Sequence, residues 1–96
     1  MNLQEALRKA QTALAERVQK SEKLRAFKFD PVALQAEYER CWAISAGSED
    51  MLAADYVPAA LFFYVDKQEG HIWGTGEIND YFYQAVPSIV SGPPLR

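Results

Sequence analysis

His71 is the only histidine of this 96-residue chain and Cys41 its only cysteine. Any chemistry that needs an imidazole or a thiol must therefore run through these two positions. His71 has Asp66 and Glu69 as its nearest acidic neighbours in sequence. A metal or general-base site would want ligands converging from a second segment, and without them the preferred reading is a histidine with a structural role at a strand edge. Cys41 follows Arg40, and a Cys–His pair could arise only by tertiary contact with His71. A lone thiol makes no internal disulfide, which suits a reducing compartment.

Two further patterns could carry chemistry. Glu37 and Glu39, if they lie on a strand, would project from one face about 7 Å apart, a separation that some glycosidases use. A domain this small has little room for a sugar-binding cleft beside its core. Gly74-Thr75-Gly76 has the look of a phosphate loop but lacks the remaining glycines and the lysine of either nucleotide fingerprint, so it reads as a strand-to-helix turn. The expectation is no catalytic residue, no metal, no cofactor and no enzymatic activity.

The densest aromatic stretch runs from residue 60 to 86 and holds Phe62, Phe63, Tyr64, Trp73, Tyr81, Phe82 and Tyr83. A hairpin over 61–73 would put Leu61, Phe63, Val65 and Ile72 inward, and Phe62, Tyr64, His71 and Trp73 on the second face. Those second-face aromatics have two readings. They are core if helices cover both faces of the sheet, which is favoured because aromatics dominate small cores. If the face is open, Phe62, Tyr64 and Trp73 would be anchors for a partner, rimmed by Glu69, Glu77, Asp80 and Arg40.

The elements that must position these residues follow in order. Asn2 and Glu5 have capping-box spacing, and Leu3, Ala6, Leu7, Ala10, Leu14 and Val18 form one apolar stripe, predicting an N-terminal helix that packs on a sheet. Residues 25–30 alternate, with Phe27 and Phe29 on one side, and read as a strand. Residues 31–38 fit either a helix opened by Asp30-Pro31 or an alternating strand; composition tilts slightly to a helical turn. Residues 39–46 read as a strand with Trp42 and Ile44 on one face and Cys41, Ala43 and Ser45 on the other. A turn at 47–50 and one helical turn within 51–56 lead to a strand at 61–65, apolar on both faces as expected of a central strand covered on each side or of a strand whose outer face meets another molecule.

Asp66 and Gly70 fit a turn in which the carboxylate bonds its own backbone and the glycine takes a positive φ. Residues 71–73 are the return strand, and Ile78, Asn79 and Tyr83 have hydrophobic-staple spacing, which starts a second helix at Asn79 and ends it before Pro87. The fold class is α+β: an N-terminal helix on a small antiparallel sheet of three to four strands, with a short C-terminal helix after the last hairpin. Residues 1–87 form one domain and 88–96 an extended or disordered tail.

Composition sets the limits. At 49% hydrophobic and 24% charged residues the chain should fold. A net charge of −3 with a pI near 5.0 argues against nucleic-acid binding and for basic protein partners. The longest apolar run, 58–65, is far below the roughly 20 residues of a membrane span, and the polar N-terminus has no signal-peptide core, so a cytoplasmic protein is expected.

Val65-Asp66-Lys67, the closing Gly70, the Gly74-Thr75 step, the tyrosines of 81–83 and Trp42 on its strand together resemble the YrhB-like bacterial immunity proteins, the immunity protein 35 family. The likeness spans nearly the whole chain, although Glu39-Arg40-Cys41-Trp42 stands where the family has a Tyr-Gly-Trp-like step. The resemblance implies a protein, monomeric or weakly dimeric, that binds a cognate toxin domain and blocks it stoichiometrically. A secretion chaperone or adaptor for an effector protein is the alternative from another class.

Overall fold

The computed structural model describes residues 1–84 and 89–91. Asn2 accepts the Glu5 N–H at 2.9 Å and donates its own N–H to the Glu5 carboxylate at 3.1 Å. That reciprocal cap opens α1, Leu3–Gln19. Ala6, Ala10 and Leu14 are its buried residues, and the two alanines let the helix backbone sit close to the sheet. Ser21 then caps a single turn, α2, Glu22–Arg25.

Here the structure departs from the expected strand at 25–30. Arg25 ends α2, and the segment after it has no ladder partner. Phe27 and Phe29 alternate because they serve different contacts. Phe27 meets the Tyr56 ring edge-on at 5.6 Å, whereas Phe29 enters the core under α1. The chain between them is held by side-chain and loop bonds, Lys28 N–H to Asp50 Oδ2 at 2.8 Å and Asp30 N–H to the Gly47 carbonyl at 2.8 Å.

Residues 31–38 resolve as a strand, β1, Ala33–Tyr38, and not as a helical turn. Pairing with β2, Cys41–Gly47, decides it: Ala33 faces Ser45, Leu34 faces Ile44, and Ala36 faces Ala43. Gln35 is the extra residue of a bulge between Leu34 and Ala36, which restores alternation beyond it. Ser48 caps α3, Glu49–Ala53, the helical turn expected within 51–56 but begun two residues earlier. β3, Ala60–Asp66, pairs with β2 through seven residues, and β4, Ile89–Ser91, pairs with β1.

The sheet order is β3-β2-β1-β4 and every pairing is antiparallel. β3 is therefore an edge strand and β2 a central one, so 61–65 is not a central strand. The return strand at 71–73 reduces to one bridge, Val65 to Ile72. Ile89–Ser91, within the stretch expected to be an extended or disordered tail, adds β4 to the sheet. The end of the second helix before Pro87 and the last five residues lie outside the described residues.

Two apolar layers sandwich the sheet. On the helix face, Trp42, Ile44, Ala46, Phe63 and Val65 pack against Ala6, Ala10 and Leu14. On the second face, Ala36, Tyr38, Cys41, Ala43 and Trp73 pack with Tyr64, Ile78, Tyr81 and Phe82. No helix among the described residues is long and apolar enough to cross a membrane.

Candidate functional site

The turn after β3 is built on one carboxylate. Asp66 Oδ2 accepts the N–H groups of Gln68 at 2.9 Å and Glu69 at 2.7 Å, and Oδ1 accepts the Trp73 indole N–H at 2.9 Å. Gly70, at φ 79°, closes the turn through its N–H to the Asp66 carbonyl. Burial by itself would push this carboxyl up. The Glu69 N–H, the Trp73 indole, the Gln68 N–H and the nearby His71 outweigh it and hold the group below its ordinary 3.8. The expected self-bonding of Asp66 is there; the indole bond was not read from sequence. A Trp seven residues after the turn's Asp is the signal that could have found it.

His71 sits between two carboxylates. Its Nε2 is 2.7 Å from Glu77 Oε2, and its Nδ1 is 3.5 Å from Glu69 Oε1. The Glu77 hydrogen bond, more than any other contact, lifts the imidazole above 6.5, and reciprocally His71 and the Gly74 N–H hold Glu77 below 4.5. Through its other oxygen Glu77 accepts the Gly74 N–H at 3.1 Å, so it also caps α4, Thr75–Asn79. The second helix thus begins at Thr75, and not at Asn79. Glu77 lies three residues after Gly74, the position from which a side chain reaches back to the cap, and Ile78-Asn79 falls inside a helix already under way.

Asp80–Gln84 continues α4 as a π-helical turn, and its wide pitch turns Tyr81 and Phe82 onto the sheet while Tyr83 stays 84% exposed. Tyr81 lies 5.1 Å from the Trp73 ring, and Phe82 lies 5.5 Å from Tyr64 and 5.0 Å from Tyr38, all edge-to-face. Arg40 stands over both Trp73 and Tyr81, its guanidinium 6.0 Å from each centroid.

The second-face aromatics divide between covered and uncovered positions. Trp73, 6% exposed, and Tyr64, half-buried, are core beneath the helical segment. Phe62 lies outside that cover, beside a shallow depression bordered by Ala33, Gln35, Ser45 and Ala60. Glu69 and Glu77 come together at His71, while Asp80 lies one helical turn on from Glu77.

The other candidates are placed apart. Glu37 bonds Lys67 Nζ at 2.6 Å, and Lys67 in turn lies over the Trp42 ring; Glu39 is exposed in the turn after β1. The carboxylate pair does not form. Cys41 is fully buried, and the loss of solvent pushes its thiol up to about 12, removing nucleophilic character near neutrality. Asp66, Glu69 and His71 put one ligand atom each within 4.8 Å of one another, but both Asp66 oxygens already receive N–H donors.

No charged residue occurs from 57 to 65. Val57, in the loop before β3, is 93% exposed, and Leu52 of α3 is 64% exposed.

Comparison with protein-family models, with curated proteins and with solved structures finds no match to this chain.

Proposed function

We propose that this protein is an immunity protein of the cytoplasm, which binds a cognate bacterial toxin domain one to one and occludes it without turning anything over. The observation that carries the reading is Phe62, which lies outside the helical cover of the second sheet face beside a shallow depression, in a protein whose core is already closed on the helix side. Leu52 and Val57 add exposed apolar side chains. Exposed apolar surface is characteristic of protein–protein contacts where it gathers into a patch.

The net charge of −3 favours a basic partner by speeding encounter. Glu69, Glu77 and Asp80 supply negative charge at one end of the sheet, next to the covered aromatics rather than among the open ones. Phe62 is the anchor proposed from the expected set. Tyr64 and Trp73 support it from beneath α4. The likeness to the immunity protein 35 family, in Val65-Asp66-Lys67, Gly70 and Gly74-Thr75, points the same way.

The test is capture of a folded toxin domain by the tagged chain from a lysate of its source, sized for stoichiometry, followed by co-expression with that domain. One-to-one binding that rescues growth supports the reading. Capture of an unfolded effector segment by a dimer of this chain would establish the chaperone reading instead, which the free β3 edge favours. A stable His71→Ala protein that still protects would leave no catalytic part for the histidine.

A further inference from the structure

We infer that residues 74–84 form a strap that lifts from the second sheet face as one unit, turning on Gly74 and Gly76 and held down by the contact between His71 and Glu77. The inference is independent of the immunity reading and concerns what covers Trp73, Tyr64 and Tyr38.

The strap belongs to a crossing between two fixed points. At one, Trp73 donates its main-chain N–H to the Tyr64 carbonyl at 2.7 Å and its indole N–H to Asp66 at 2.9 Å. At the other, Ile89 of β4 pairs with Tyr38 of β1. β3 and β4 are opposite edges of the sheet, so the chain crosses three strand spacings, about 14 Å. Fifteen residues lie between Trp73 and Ile89, and that length of chain reaches about 50 Å when extended. The strap can leave the face without breaking either attachment.

Side chains hold it down. Tyr81 meets Trp73 edge-on at 5.1 Å, and Phe82 meets Tyr38 at 5.0 Å and Tyr64 at 5.5 Å. No residue from 74 to 83 is fully buried. Five residues of α-helix followed by a π-helical turn have little stability of their own. Segments with few buried apolar contacts open at a fraction of the free energy of global unfolding.

The two glycines supply the pivot. Gly70 is a glycine by necessity, with φ 79° and Met1 in the way of any Cβ. Gly74 and Gly76 are under no such demand: a Cβ on either meets nothing within 4 Å, and Gly74 has φ −81°. Gly76 weakens the first turn of α4 relative to alanine, and Gly74 offers that turn no side-chain cap. Both therefore favour the lifted state.

His71 is the fixed half of the latch, since its carbonyl accepts the Asp66 N–H at 2.9 Å and ties it to β3. Glu77 is the moving half, with one oxygen 2.7 Å from His71 Nε2 and the other on the Gly74 N–H at 3.1 Å. The other charged groups near the imidazole are Glu69 and Asp66 of the turn. Across a shallow groove stand Glu5, Arg8, Lys9 and Glu16 of α1, two acids and two bases. A protonated imidazole strengthens the clasp. The strap is therefore held below the histidine's folded value, which Glu77 lifts above 6.5, and loosens as pH rises through it.

Native-state hydrogen exchange, resolved by NMR on the full chain, tests this. The amides from Ile78 to Phe82 should share one opening equilibrium within about threefold, and open about tenfold or more above Trp73 and β2. Between about pH 5.5 and about pH 8.5 that opening should increase about twofold or more, after correction for intrinsic exchange. Glu77→Gln keeps a side chain able to cap Gly74 and should abolish the pH response, as should His71→Ala; Glu69→Gln should retain it. Alanine at both Gly74 and Gly76 should reduce opening about threefold. Amides at 78–82 that open only together with β2, or that open each at its own rate, would overturn the inference. So would wild-type opening indifferent to pH, a pH response that survives both Glu77→Gln and His71→Ala, or alanines that leave opening unchanged.

Discussion

The indole N–H of Trp73 donates to Asp66 Oδ1 at 2.9 Å with both side chains buried, and this bond ties the turn at the end of β3 to the segment that opens α4. It links the sheet to the helical cover through one carboxylate. Asp66→Ala would leave the indole and two turn amides without their acceptor. A cost of about 2–4 kcal/mol is expected, read by urea denaturation. Trp73→Phe should cost less, since the carboxylate keeps its two amide donors.

Asp66 also fixes an acid limit. Its carboxyl titrates below 3.8 in the folded chain, so its ionised form is favoured by folding. That stabilisation is complete above the unfolded value and is lost as pH falls through the lower folded value. Asp66→Asn should flatten the stability profile below about pH 4, measured by thermal melts across pH 2–6.

The His71–Glu77 pair works in a bounded window. His71 is raised above 6.5 and Glu77 lowered below 4.5. The histidine's share is present below 6.5 and disappears as pH rises through its folded value; the glutamate's is present above 4.5 and disappears as pH falls through its own. The pair is exposed, so the effect on melting temperature is smaller than that of Asp66. An NMR titration of the His71 ring should give a midpoint above 6.5 that falls in Glu77→Gln, and a midpoint unmoved by that substitution would contradict the assignment.

Gly70 is constrained twice. Its φ is 79°, and an added Cβ would come within 2.6 Å of Met1 Cε. Gly70→Ala should cost about 1–2 kcal/mol in chemical denaturation. Gly70→Asn should cost less, because asparagine tolerates the left-handed region and the Met1 side chain can swing aside.

Cys41 should behave as a reporter of unfolding. With its thiol pushed up to about 12 and no exposed surface, it should resist an aromatic disulfide reagent at pH 8 until the fold opens. Reaction should follow the unfolding rate rather than reagent concentration; a fast, concentration-dependent reaction in native buffer would show the second-face core to be loose.

Much of this architecture is legible residue by residue. The Asn2–Glu5 cap and the Ala6-Ala10-Leu14 stripe identify α1 because both signals are local to one helix. The Asp66 turn and the positive φ of Gly70 follow from side chains bonding their own backbone. The facing of Trp42 and Ile44 opposite Cys41, Ala43 and Ser45 follows from a period of two. Misreadings arise where local pattern meets two solutions. Phe27 and Phe29 alternate without a ladder, because one contacts Tyr56 and the other the core. Residues 31–38 satisfy helix and strand alike until β2 supplies hydrogen-bond partners. The staple at Ile78-Asn79 competes with the Gly74–Glu77 cap, and the cap prevails because it lies earlier in the chain.

The sequence by itself determined an α+β chain with one amphipathic helix, a capped turn at Asp66, an aromatic-rich second face and no charge from 57 to 65. Only the tertiary structure decided which strand lies at the edge, which aromatics are covered and that His71 meets Glu77. Strand order depends on β1 and β3 adding to β2 and on β4 adding to β1, a choice among long-range pairings to which alternation within one strand is blind. The packing of α4 on that sheet puts Tyr81 against Trp73 and leaves Phe62 outside the cover, so which aromatics are core is a property of the assembled sheet.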